Sequence, residues 1–386
     1  MYQSVWDIMI TRLFAIVSML AVAACATTET ATRAEREPAL TQFAPAPSVN
    51  TRLDYEVWDE LLSGMVFSFG QSLRTRAGSP PPKTGSNLTP GHDSPYRLEG
   101  NRVVFSLFTD EYKALIVEYR IALEDIGNEI DIATLSRNEQ LAYWLNLHNA
   151  LMIETIAVNY PVKQPHRLLF GDPGVLLDDA DLVTIQGVPL SLRDIRERIV
   201  YPHWDDPLVI YGFFRGNIGG PSIRREAYSS SNLSANLRFN ATEFVNSLRG
   251  VSERTNTIDV SQIYYEAAPW YFPDFETDVK AHIARYATAD VSEILENDRP
   301  LRKGVYEYDI ADLAGGVEGG SSYYVVDALS GQEDINIDVP QTVTRLLKEF
   351  ENKIETANRR RLFEGRPRGT VTIIDGDEQQ DTTEID

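Results

Sequence analysis

The chain has 386 residues, 43% hydrophobic and 10% aromatic, enough to bury one large core or two smaller ones, which excludes a disordered chain. Its 57 acids against 36 bases leave a formal charge of −21, a surface that repels phosphate backbones, so no nucleic-acid partner is expected. Cys25 is the single cysteine, which excludes an intramolecular disulfide, a thiolate metal cluster and cysteine-nucleophile chemistry in the folded part.

Met9 to Ala24 (MITRLFAIVSMLAVAA) starts with one cation at Arg12 and runs through apolar residues to small ones, the architecture of an export signal. It is too short to span a bilayer stably. The residues before Met9 include Asp7 and add no positive charge, which leaves Met1 or Met9 as the start and favours Met9. Val22-Ala23-Ala24-Cys25 resembles the bacterial lipobox, in which the cysteine is acylated and then becomes the N-terminus and anchor; ordinary secretory cleavage near Ala24 is the alternative. Ala26, rather than Asp, after the cysteine resembles an outer-membrane address. The organisation expected is a signal peptide at 1–24, a lipidated N-terminus and flexible tether at 25–52, a globular domain at 53–315 and a C-terminal extension with an acidic tail at 316–386.

Ala77–Pro95 is so dense in Pro, Gly, Ser and Asn that it reads as a surface excursion. Ser136 and Glu139 have capping-box spacing ahead of a helix over Leu141–Tyr160, stopped by Pro161. Leu182–Ile185 and Val188–Leu190 flank Gln186-Gly187 as a hairpin, and Ser191 with Asp194 caps a helix through about Val200. Pro207–Phe214 (PLVIYGFF) is continuously apolar and reads as a buried strand or core segment. Pro221 fits the first turn of a helix through Tyr228, Asn240 and Glu243 open a helix closed by Gly250, and Thr277 caps another through Ala287. A strand at Tyr323–Val326 and a helix near Val339–Ala357 precede Arg359-Arg360-Arg361 and the acidic Asp375–Asp386, read as a solvated tail. The sum is an α+β fold, a mainly helical single domain with a small, short-stranded sheet.

The run Tyr143-Trp144-Leu145-Asn146-Leu147-His148-Asn149-Ala150 resembles the most recognisable helix of the DUF547 family, a domain of unknown function. Ser191-Leu192-Arg193-Asp194-Ile195 is similar to that family's Ser-Leu-x-Asp-Ile-Glu, Asp206-Pro207 to its Asp-Pro, and Val260-Ser261-Gln262-Ile263 with Asp274-Phe275 to its Val-Ser-Lys-Ile and Asp-Phe. Tyr308-Asp309 sits where many members end in Tyr-Asp-Trp, so the resemblance covers about residues 105–312. One departure stands out. Where members carry Cys-Gly-x-x-Ser-Cys-Pro-Pro, this chain reads Arg215-Gly216-Asn217-Ile218-Gly219-Gly220-Pro221-Ser222, so any chemistry of those cysteines is lost here.

Two constellations could carry function. The 141–160 helix is apolar nearly all round and therefore buried, so Asn146, His148 and Asn149 need internal partners. Either His148 is a general base oriented by an asparagine, or the amides tie down loop backbone around a satisfied core histidine. In the second, Gly216, Gly219 and Gly220 permit close backbone approach, with Arg215 and Arg224 to charge a ligand and Ser222 the local hydroxyl; a tight structural turn explains the same glycines. The reading favoured is an envelope lipoprotein, tethered through Cys25 to the periplasmic face of the outer membrane, that binds an envelope ligand or protein partner between the helix and the loop. The alternative is a hydrolase or acyltransferase using His148 and Ser222. No metal or cofactor is expected, since no histidine has a metal-ligand neighbour. Tyr264, Tyr265, Trp270, Tyr271, Phe272 and Phe275 either line a groove or pack a loop onto the core.

Overall fold

The structure, a computed structural model, describes residues 39–78, 92–317, 321–326 and 335–363. The export signal with Cys25, most of the Ala77–Pro95 excursion and the acidic tail lie outside the described residues. The chain separates into two compact units, Met1–Ala44 and Pro45–Asp386. The described part of the first ends a helix at residues 39–40 and continues as a 3₁₀ turn, Thr41–Phe43.

The second unit is a mainly helical α+β fold, with α1 (Glu56–Met65), α2 (Asp110–Glu129) and the central α3 (Arg137–Val158) in its first half. Thr109 caps α2 by accepting from the Tyr112 amide, and Ile116, Tyr119, Leu123 and Gly127, spaced by three and four residues, form its buried face. Tyr143 of α3 donates to the Leu123 carbonyl of α2. Every residue of α3 from Glu139 to Ile153 is buried, as an all-round apolar helix requires. The capping box expected at its start does not form: Ser136 makes no side-chain cap, and Glu139 accepts instead from the Leu53 amide. A chain segment distant in sequence takes the carboxylate that the local motif would have used.

Strands are short and pair in twos and threes. β1 (Val66–Ser68) pairs antiparallel with β2 (Asn101–Val103), and the small β3 (Leu169–Phe170) with β4 (Val175–Leu176). The expected hairpin is β5 (Val183–Ile185) and β6 (Val188–Leu190), with both turn residues, Gln186 and Gly187, in the left-handed region of a type I′ turn. Ser191 and Asp194 then form the expected reciprocal cap of α4 (Leu192–Asp194), which continues as a π-helical turn over Ile195–Val200.

Three expectations fail between Pro221 and Thr277 and a fourth, left open at Pro207–Phe214, is decided; at two of these four places a side chain from another element captures backbone. Of the two readings of Pro207–Phe214 the core segment holds and the strand does not: it is buried, with a 3₁₀ helix over Pro207–Gly212 whose Tyr211 and Gly212 carbonyls accept from Asn240 and Asn149 instead of from a neighbouring strand. Residues 221–228 form no helix, because Asn101 holds the Ile223 carbonyl and Asn146 holds Tyr228 at both its amide and its carbonyl. Asn240 opens nothing, since α5 runs from Leu233 to Val245 and Asn240 lies inside it; Gly250 sits beyond its end, where a Cβ would meet the Phe244 carbonyl oxygen at 2.0 Å. Thr277 lies within a later helix that Asp274 begins.

That region holds β7 (Val251–Glu253) antiparallel to β8 (Ile258–Val260), then α6 (Gln262–Tyr271), α7 (Phe275–Ala284) and α8 (Ala289–Glu296), with β9 (Leu301–Lys303) parallel to β8. The aromatic run packs at its centre rather than lining an open groove: Tyr264 is buried and bonded to Tyr211, which also bonds His282, while Tyr265 lies tilted against Phe275. The described residues close with β10 (Ser321–Val326) and β11 (Ile335–Pro340) as an antiparallel pair and α9 (Gln341–Phe363). Val343 and Leu346 of α9 pack with Phe69, Leu98, Leu313 and Ala314 in one apolar cluster.

Candidate functional site

The polar residues of α3 fix the backbone that runs over it. Asn146 donates to the Tyr228 carbonyl at 2.7 Å and accepts from its amide at 3.0 Å, the pairing a strand neighbour would give. Asn149 donates to the Gly212 carbonyl at 3.0 Å and accepts from the Phe214 amide at 2.9 Å and from His148 Nδ1 at 3.2 Å. Both amides are thus committed to backbone, and they set the path of the chain into the 215–222 loop.

His148 is fully buried, its ring edge-on to Phe213. Asn149 Oδ1 can only accept, so Nδ1 carries the proton; Nε2 then accepts from Arg196 Nη1 at 3.2 Å. Burial, then the charges of Arg196 and Arg215, hold the ring well below the ordinary histidine range, so it is neutral. Arg196, with 1% of its side chain exposed, forks onto both oxygens of Asp178 at 2.7 Å each. Burial works to raise the Asp178 carboxyl, but Arg196 first, with Arg215 and Arg193, outweighs it and holds the group below the usual carboxylate range. Arg215 bonds Glu266 of α6 at 3.0 Å, and Glu266 also accepts from Gln262. Glu197 lies within 3.8 Å of both Arg193 and Arg196, with burial pushing its carboxyl up against their attraction. The result is a hydrogen-bonded chain from Asp178 through Arg196 to the neutral His148 ring, with the Arg215–Glu266 ion pair as a further charged pair whose arginine also lowers that ring.

Ser222 belongs to a different network. Its hydroxyl donates to Glu243 at 3.0 Å and accepts from the Asn101 amide and from Arg249, which is itself ion-paired to Glu243 at 2.6 Å. His148 and Ser222 share no hydrogen-bond partner, so the structure does not assemble them as base and nucleophile. Arg224 is further removed, bonded to Glu226 and stacked over Phe239. Among the described residues no three His, Cys, Asp or Glu side chains converge as metal ligands would.

The loop glycines are explained by what lies against them. Gly216 has φ +70°, and a Cβ there would meet Ile156 at 2.6 Å and Met152 at 2.9 Å, so the loop begins pressed onto α3 with no groove between. On its other side the segment 306–311 pairs with it: the Ile218 amide donates to Asp309, the Gly219 amide to Glu307 and the Ala311 amide to Gly216. A Cβ on Gly219 would collide with Glu307 backbone at 2.7 Å. A Cβ on Gly220 would lie 3.0 Å from that of Arg215, so the two family cysteines, set on these positions, would face one another close to disulfide reach.

Sequence reasoning missed Asp178, Arg196, Glu266, Glu243 and Arg249. One signal was present: the residue after Ile195 is Arg196, where the family pattern quoted for that helix has Glu. The structure therefore sets two arginines around His148 at the positions where that pattern carries Glu and the loop pattern carries Cys.

Residues 132–245 match the model of a family described as "Protein of unknown function, DUF547". The class these findings define is a mainly helical α+β protein, one segment of which matches that family model. That segment runs from the turn before α3 to the end of α5, so it contains His148, Arg196, Arg215, Ser222 and Glu243 but neither Arg249 nor Glu266. It is shorter than the resemblance spans, leaving the motifs at 260–275 and 308–309 outside the match. No curated relative and no solved structure matches the chain.

Proposed function

We propose that the protein is an outer-membrane lipoprotein, exported through the segment ending at Ala24 and acylated on Cys25, whose folded part faces the periplasm and binds a polar ligand or protein partner at the 215–222 loop. The lipobox-like Val22-Ala23-Ala24-Cys25 supports the first half. One observation carries the second: His148 is flanked by Arg196 and Arg215. With arginine in place of both Cys and Glu, the imidazole has no thiol to deprotonate and no carboxylate to orient it, and its lone pair is occupied by Arg196. What the cluster supplies is a neutral, rigid, charge-compensated support for the loop, as a preorganised binding element needs.

Two experiments test the halves separately. Cys25→Ala should abolish metabolic palmitate labelling and release the protein into the soluble periplasmic fraction; unchanged labelling and retention would overturn the anchor. Native mass spectrometry of the protein taken from envelope extracts should show a retained adduct that Arg215→Ala loses while keeping wild-type circular dichroism. Hydrolysis of ester or amide substrates that is abolished by His148→Ala and Ser222→Ala would replace the binding reading with a catalytic one.

A further inference from the structure

The hairpin of β3 and β4, residues 168–177 (LLFGDPGVLL), is apolar and uncovered. Leu169 is 63% exposed, Leu176 48% and Val175 42%. The other large exposed hydrophobics among the described residues stand singly, none next to another in sequence or across a ladder. Single exposed apolar residues are ordinary, whereas a hairpin that gathers three marks a contact surface. Opposite residues of an antiparallel pair point to one side of the ladder, so Leu169 lies beside Leu176, and Phe170 beside Val175 on the other side. The Leu169–Leu176 side is the more open of the two.

Both feet of the hairpin are fixed. The Leu177 amide donates to the Leu168 carbonyl, and the Asp179 and Ala180 amides to that of Leu176. Before β3, the Lys163 carbonyl accepts from the Ile310 amide, Gln164 donates to Asp309, and the His166 ring lies 4.4 Å from that of Tyr308. After β4, Asp178 receives the Arg196 fork, and its carbonyl accepts from the Arg193 amide. The apolar face is therefore held in place, and it rises from the elements that flank His148 and the 215–222 loop.

What covers such a face must itself be apolar, and a lipid bilayer fits. Cys25 stands twenty positions before Pro45, where the second unit begins, so an acyl group there keeps Pro45 within about 70 Å of a bilayer by any course of the chain. Charge does not oppose the contact. In a chain of formal charge −21, residues 168–177 carry one charge, Asp172, and Arg167 before them is exposed, without an ion-pair partner among the described residues. The acids that follow are neutralised, Asp178 by Arg196 and Asp179 by Arg193. Strands of two residues offer too short an edge for another chain to extend the sheet.

We propose that β3–β4 is a membrane-docking hairpin: its Leu169–Leu176 side lies at the boundary between headgroups and acyl chains of the bilayer that holds Cys25. The Asp172 carboxylate at the turn excludes tip-first insertion, so the hairpin lies along the surface with that turn at headgroup level. Docked in this way it turns the elements around His148 toward the bilayer, and the candidate site meets ligands presented at that surface. This rests on the anchor half of the function proposed above.

The test uses the mature protein in vesicles of phosphatidylethanolamine and phosphatidylglycerol. An acylated Cys25 leaves no free thiol, so Leu169→Cys and Leu176→Cys each give one site for an environment-sensitive thiol dye, with Leu115→Cys, 48% exposed on α2, as the control. Both hairpin labels should shift to the blue in vesicles and lose most of their emission to lipids that carry a quencher on the acyl chain, while the Leu115 label does neither. Leu169→Ser should return the label at Leu176→Cys toward its emission in water, since half of the apolar side is lost. Hairpin labels that stay in water while the unsubstituted protein takes no dye overturn the proposal and leave the anchor standing. Dye taken up by the unsubstituted protein shows a free Cys25, and the anchor and the docking then fall together. A blue shift that grows with protein concentration and ignores the quencher assigns the face to a second copy of the chain and overturns the docking, as does equal quenching of all three labels.

Discussion

Two buried polar networks flank the 215–222 loop, and they spend their hydrogen bonds differently. On the α3 side, Asn146 and Asn149 use each amide atom to hold backbone of the 212–228 stretch, and His148 is saturated at both nitrogens. On the α5 side, Glu243 and Arg249 hold each other and Ser222, and among the described residues Glu243 Oε1 and Arg249 Nη1 have no partner, as Arg196 Nε and Arg215 Nε have none around His148. The asparagines close on backbone and so serve folding, whereas the ion pairs of both networks spend their bonds on each other and leave a buried atom unpaired at each guanidinium.

The comparison can be broken most forcefully at Glu243. With 5% and 2% of their side chains exposed, Glu243 and Arg249 are a buried pair, and Glu243→Ala strands the guanidinium at a cost of about 3–5 kcal/mol. Urea unfolding should show that loss as a lower midpoint at unchanged m value; a midpoint within error of wild type would mean that solvent reaches Arg249 and that the pair is not buried in solution.

Asn149→Ala tests the opposite side with a smaller effect. It removes the acceptor of the Phe214 amide and of His148 and the donor to Gly212, and should cost about 2–3 kcal/mol from the groups left unpaired. Any ligand affinity of the molecules that remain folded should persist. A thermal melt that overlays wild type, with binding lost, would transfer Asn149 from the structural to the functional side.

The smallest effect is a slope. Folding holds His148 well below the ordinary histidine value, so as pH falls below about 6.5 the unfolded chain takes up a proton there that the folded chain refuses. Stability therefore drops on acidification through that window and is indifferent to this group above it. Between about pH 6 and 5, the unfolding free energy of wild type should fall by up to ~1.4 kcal/mol per unit more than that of His148→Gln. His92, held at about 3, and His282, at about 4, add slope of the same sign to both proteins and cancel in the difference. Parallel profiles would show His148 titrating normally, and so exposed to solvent.

Where the local pattern and the tertiary environment agreed, the sequence was sufficient. α3 follows from apolar residues on every face, the β5–β6 hairpin from Gln186-Gly187, whose left-handed turn glycine favours, and α4 from the reciprocal Ser191–Asp194 cap. These are short-range effects carried by residues within a turn or two of each other. Tertiary structure decided the rest, because side chains far away in sequence outbid local hydrogen bonds: Leu53 takes Glu139, Asn149 and Asn240 take the carbonyls that would have made Pro207–Phe214 a strand, and Asn101 and Asn146 take the backbone that would have made 221–228 a helix. His148 and the glycine loop were legible as polar and flexible exceptions in apolar surroundings. Their partners were not, because Asp178, Arg196, Glu266 and Arg249 are ordinary charged residues in sequence, and become a buried network only when elements up to more than a hundred residues apart close around α3.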